Sequence, residues 1–137
     1  MREILFRGKR VDNGEWVYGL LCRVGNTYAN IVEKSTEVMC TVLTNTIGQF
    51  TGLTDKNGRK IFEGDVLNVH DQIPTFDGYN TDEIIYNGKV MYIKNQGMYV
   101  CEGNNDGNAL CALNLDKCEV IGNIHDNPEL LGGESDG

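Results

Sequence analysis

Apolar and polar residues alternate loosely on both sides of Asp12-Asn13-Gly14 in ILFRGKRVDNGEWVYGLL. A period of two is the signature of a strand with one buried face. The pattern predicts strands near Ile4–Val11 and Glu15–Cys22, joined by a tight hairpin turn in which Gly14 supplies a positive φ. Trp16, Tyr18 and Leu20 then fall on one face, and Val17, Gly19 and Leu21 on the other. NTYANIVEK reads as a third strand, and the β-branched residues of STEVMCTVL favour a fourth.

The segment TIGQFTGLTDKNGRKIFEGDVL, Thr46 to Leu67, reads as strand, turn, short strand, turn, strand. Asn57-Gly58 and Glu63-Gly64-Asp65 make the turns. Asp65, placed after Gly and before a strand, is expected to accept backbone N–H groups in its own turn. The polar run His70–Glu83, with Pro74 and Gly78, is expected as a long exposed loop. Two or three strands follow it, with turns at Asn87-Gly88 and Asn95-Gln96-Gly97. GNNDGN is expected as a flexible turn, followed by one strand before Asp116-Lys117 and another after it. Asn127 as N-cap and Pro128 at the first helical position predict one short helical turn. The expected class is all-β (mainly β), a barrel or sandwich of short strands with little helix.

The chain has 137 residues, with 17 glycines and only 2 prolines, consistent with many tight turns. Its net charge of −8 argues against a nucleic-acid binder, which needs a basic footprint. The charge is uneven, however: the first 23 residues hold five basic side chains against three acidic ones, so a local basic face is conceivable there. The five cysteines include no C-x-x-C pair and are expected as reduced, mostly buried thiols. MREILFRGKR lacks the apolar core of a signal peptide, and no apolar run is long enough for a transmembrane helix. A cytoplasmic protein with no membrane contact is expected.

Candidate chemistry is thin. The glycines of GQFTGLTDKNG lack the following helix and the Gly-Lys-Ser/Thr of a phosphate loop. Counted from Asp55, the twelfth position of a calcium loop is Val66, so that match fails. Asp71, Asp77, Asp82 and Glu83 crowd one segment and read as a solvated acidic run before a weak cation site. Zinc ligation by Cys101, Cys111, Cys118 and His125 lacks the close pairs of structural sites. A Cys–His pair from Cys101 or Cys118 with His125 has no supporting spacing. No catalytic residue, metal or cofactor is expected.

FRGKR followed by GEWVYG, then TIGQFTGLTDKNGRKIFEGDVL, then EVIGNIHDNPELL, in that order, resemble the YopX family, small proteins encoded by bacteriophages and prophages. The blocks span nearly the whole chain. The resemblance implies a mainly β fold, a small SH3-like barrel with an added N-terminal β element. It transfers no catalytic residue, and the central block looks like a fold signature before it looks like an active site. The expected organisation is an N-terminal β-hairpin element at 1–45, a small β-barrel domain at 46–131 and a disordered tail at 132–137. The expected role is a non-enzymatic accessory protein working through protein–protein contacts, with itself and with a host protein, as a homo-oligomer. Arg7, Lys9, Arg10, Trp16 and Gln49 form the candidate interaction surface. The alternative is nucleic-acid binding through the basic first hairpin, where Tyr18 joins Arg7, Lys9, Arg10 and Trp16.

Overall fold

The computed structural model describes residues 3–103 and 107–131. The fold is mainly β, with two antiparallel sheets and four short 3-10 turns among the described residues. The tail expected at 132–137 lies outside the described residues, as do residues 104–106 of the expected GNNDGN turn. The chain divides into two compact units, Met1–Gly52 and Leu53–Gly137.

In the first unit, β1 (Phe6–Lys9) and β2 (Trp16–Val24) form the hairpin expected around Gly14, whose φ is 74°. β3 (Tyr28–Glu33) and β4 (Met39–Leu43) extend the sheet. β5 (Gly48–Thr54) starts in this unit and pairs with β1 through Phe6↔Gln49 and Arg7↔Gly48. Val17 and Gly19 are buried and Tyr18 and Leu20 exposed, as the alternation requires. The core is Val17, Ala29, Ile31, Cys40 and Val42, backed by Phe6, Leu21 and Ile47. A register shift between Leu21 and Arg23 bends β2. The sheet curls until Arg10 bridges Val42 and the Val11 N–H reaches the Thr41 carbonyl at 3.0 Å.

The second unit holds β6 (Lys60–Phe62), β7 (Asp65–Pro74), β8 (Thr81–Ile93), β9 (Met98–Glu102), β10 (Gly107–Ala109) and β11 (Cys118–Asn123). Its sheet has the order β10-β9-β8-β7-β11, and no closed barrel is found among the described residues. Its edge strands β10 and β11 are not paired with each other among the described residues, and its strands are uneven in length. β7 and β8 are 10 and 13 residues long, whereas β11 pairs with β7 over Asp65–Val69 and β9 with β8 over Lys89–Ile93. The remainder of the β7–β8 hairpin runs on as a two-stranded ribbon. The core is Ile61, Leu67, Val69, Val90, Cys101, Leu110, Leu113, Cys118 and Val120.

Three local expectations need correction. His70–Glu83 is not a loop: His70↔Ile85 through Pro74↔Thr81 are five paired positions of the ribbon, and only residues 75–80 turn. Asn87-Gly88 is no turn but the middle of β8. Gly88 is needed because a Cβ there would stand 2.7 Å from the Cys101 Sγ across the ladder. The segment before Asp116-Lys117 gives a three-residue strand and two 3-10 turns, Leu110–Ala112 and Leu115–Lys117, instead of a full strand. The helical turn at the C-terminal end is present as Pro128–Leu131. There the Asn127 side chain accepts from the Asn123 N–H at 3.3 Å, and the Asn127 carbonyl accepts from the Leu130 N–H at 3.1 Å.

Candidate interaction surface

The Thr46–Leu67 block is built as a fastening. Asp55, 5% exposed, accepts the Asn57 and Arg59 N–H groups on Oδ1, both at 2.9 Å. Its Oδ2 accepts the Val120 N–H of β11 at 2.9 Å. Next to it the Lys56 N–H donates to the Cys118 carbonyl at 3.0 Å. At the following turn Gly64 has φ 93°, donates its N–H to the Val90 carbonyl and accepts from the Ile124 N–H. Asp65, 1% exposed, accepts the Phe62 N–H at 2.7 Å, the turn role expected of it. The central block is therefore tied by main-chain hydrogen bonds to the EVIGNIHDNPELL block. That last block also caps itself: Asn123 Oδ1 accepts from His125 N and Asp126 N, both at 2.9 Å. Asn87 reaches in with an Nδ2–H to the Leu130 carbonyl at 2.8 Å.

These carboxylates are scaffold by geometry as well as by charge. Burial pushes the Asp55 carboxyl up, but the Val120, Arg59 and Asn57 N–H groups and the nearby Arg59 charge outweigh it, leaving the group below its ordinary range. An acid held ionised by fixed donors is poorly suited to proton transfer near neutral pH. The thiols tell a similar story. Burial, and then neighbouring Cys118, push Cys101 up to about 12, and burial also raises Cys118. Both are 0% exposed, so thiolate nucleophiles are disfavoured there. His70 meets Glu83 at 3.2 Å and Asn68 at 3.1 Å along the ribbon. Among the described residues no three His, Cys, Asp or Glu side chains gather as metal ligands.

The five residues singled out from sequence divide. Trp16 lies close to two cations, with the Arg7 guanidinium carbon 4.7 Å and the Lys9 ammonium 5.8 Å from its ring centroid. The register explains this: Lys9 pairs with Trp16 and Arg7 with Tyr18, so all four side chains share one face. Arg7, however, is only 4% exposed. Arg10 is joined to Asp12 by two hydrogen bonds, at 2.8 and 3.0 Å. Gln49 is half-buried on β5 beside buried Phe50.

Two other surfaces carry more exposed apolar area. The first is on the outer face of the first unit. Leu20 pairs with Val32 and Val32 with Met39, giving an apolar row across three strands, with Leu20 and Met39 about 60% exposed. A cavity of about 490 Å³ opens at one end of the row, floored by Ile4, Leu5, Leu20 and Val32. The second is the tip of the ribbon, where Phe76 is fully exposed and Tyr79 89% exposed. The tip is shaped by Asp77, whose carboxylate accepts the Thr75 hydroxyl and the Tyr79 N–H, and by Gly78 at φ 77°. Neither surface was singled out from sequence. Leu20, Val32 and Met39 are far apart in the chain and only the register aligns them, and the tip lay in a segment expected to be a loop.

No curated protein matches the chain. Among solved structures, protein EF1440 from Enterococcus faecalis is similar, with 24% sequence identity and a TM-score of 0.54 over 96% of this chain and 99% of that one. At that identity the likeness speaks for the fold. No helix among the described residues is long and apolar enough to cross a membrane. The family described as YopX protein matches residues 5–132, which take in all three sequence blocks and the hydrogen bonds that join them, and the chain belongs to that family.

Proposed function

We propose that this YopX-family protein is a non-enzymatic accessory protein of phage or prophage origin that works in the cytoplasm through protein–protein contacts, including contact with itself. The observation that carries this reading is the tip of the β7–β8 ribbon. Two aromatic side chains stand in water there, on a turn already fixed by Asp77 and Gly78. An exposed aromatic pair on a preorganised turn is costly to leave solvated and typical of a contact anchor. Burying Phe76 and Tyr79 against a second copy gives a closed, two-fold contact in which each tip is both donor and receiver.

Sedimentation equilibrium of the full chain tests it. The wild type is expected as an oligomer at micromolar concentration, and the Phe76→Ser, Tyr79→Ser double variant as a monomer with an unchanged far-ultraviolet spectrum. Because both side chains are exposed, the variant leaves the cores intact. A wild type that is monomeric throughout, or a double variant that stays oligomeric, contradicts self-contact through the tip. The nucleic-acid reading has less support, since Arg7 is buried and Arg10 is engaged by Asp12.

A further inference from the structure

We infer that the cavity on the first unit is a docking groove for a basic, apolar peptide segment of another protein, distinct from the ribbon tip and independent of self-contact. Its floor is apolar, with Ile4 and Leu20 62% and 58% exposed and Leu5 buried beneath them in the lining. At about 490 Å³ it lies in the size range that accepts a small ligand or the side chains of a bound peptide. Its rim is acidic. Among the described residues, Glu3, Glu33 and Glu37 line it with one ammonium, that of Lys34, which is bonded to Glu3.

Charge chooses the occupant. A segment bringing apolar side chains to the floor and lysine or arginine to the rim satisfies both parts of the groove. The ribbon of a second copy is a poor occupant of this acidic rim, because it carries Asp71, Asp77, Asp82 and Glu83. The ribbon tip and the groove are thus suited to different partners.

The groove is also constructed with close tolerances. Gly19 lines it, and a Cβ there would come within 1.8 Å of the Val32 carbonyl oxygen, so β2 and β3 approach each other at the floor as no other residue permits. Glu33 accepts the Thr36 hydroxyl at 2.8 Å and its carbonyl accepts the Glu37 N–H at 2.8 Å, which holds the acidic turn against the strand end.

The test uses the full chain and two fluorescently labelled heptapeptides, one of alternating lysine and leucine, the other of alternating glutamate and leucine. Anisotropy titration is expected to show saturable binding of the lysine peptide, weakened by added salt, and none of the glutamate peptide. Glu33→Gln with Glu37→Gln is expected to weaken binding about tenfold, as for two partly exposed charge contacts. Ile4→Ser with Leu20→Ser, at positions already exposed, is expected to abolish it without changing the melting temperature by more than a few degrees. Failure of the lysine peptide to bind overturns the inference, and so does equal binding of both peptides or indifference to the Gln substitutions. If the Ser substitutions instead lower the sedimenting mass, the face is a contact between copies and the inference is wrong. The tip variant Phe76→Ser, Tyr79→Ser should bind the peptide like the wild type, which separates a failure here from a failure of self-contact.

Discussion

Asp55→Asn removes a single charge while keeping nearly the same shape, and the structure fixes what that costs. In the wild type both carboxylate oxygens accept from fixed main-chain donors. In the variant the side-chain oxygen can still serve Asn57 and Arg59, but the amide nitrogen then faces the Val120 N–H, donor against donor. A hydrogen bond to a charged group contributes about 1.5–3 kcal/mol, and a buried donor left without an acceptor costs about 1–3 kcal/mol. These terms overlap, so the expected loss is about 2–4 kcal/mol. The alternative rotamer, with oxygen toward Val120, transfers the conflict to the 55–59 turn and does not escape it. Urea unfolding followed by far-ultraviolet dichroism measures the loss.

The same carboxylate makes a prediction about pH. Its folded value lies below its unfolded one, so the native state binds fewer protons and stability rises with pH through this group. The contribution is full above the ordinary carboxylate value of about 3.9 and is lost as the pH falls through the lower folded value. The gap between wild type and Asp55→Asn should therefore be widest near neutrality and narrow in acid. A variant within about 0.5 kcal/mol of the wild type at neutral pH, or a gap that widens in acid, would refute the fastening role.

Further outcomes follow from single positions. Gly88→Ala places a Cβ 2.7 Å from the Cys101 Sγ and 3.2 Å from the Glu102 carbonyl carbon, and should destabilise by about 1–3 kcal/mol in the same urea assay. Glu37 sits at φ 61°, where a side chain costs about 1 kcal/mol, so Glu37→Gly should raise or hold stability while weakening the lysine peptide. In a native thiol titration with an aromatic disulfide reagent, Cys22 and Cys111 should react at once. Cys40, Cys101 and Cys118 should react only on unfolding, because all three are buried.

What the sequence made legible was the part built from local rules. Asp12-Asn13-Gly14 announced a hairpin because a tight turn needs a positive φ there, and Trp16 to Leu21 announced their faces because one face is buried. Asp65 was readable because its partner, Phe62, is three residues away. Asp55 was not, because its decisive partner, Val120, is 65 residues away. Gly88 looked like a turn because the reason for it, the Cys101 sulfur, lies on another strand. The ribbon was hidden for a different reason: Gln72, Thr81, Asp82, Glu83 and Ile85 are exposed, and strands without a buried face show no alternation of apolar and polar residues. Of the basic residues read from the first hairpin, Arg7 and Lys9 lie against Trp16, but the burial of Arg7 and the Asp12 partner of Arg10 were not legible.

Thr46–Leu67 and EVIGNIHDNPELL are tied to each other as scaffold, and contact is proposed elsewhere, at the ribbon tip and the groove. Hydrogen exchange read by mass spectrometry tests both at once, on dilute protein, concentrated protein, and protein with the lysine–leucine peptide. Residues 75–80 should be protected on concentration, and residues 19–20 and 32–37 with peptide. Residues 55–65 and 118–124 should exchange slowly and identically in all three samples. A response confined to 55–65 and 118–124, with the tip and the groove unmoved, would overturn this assignment.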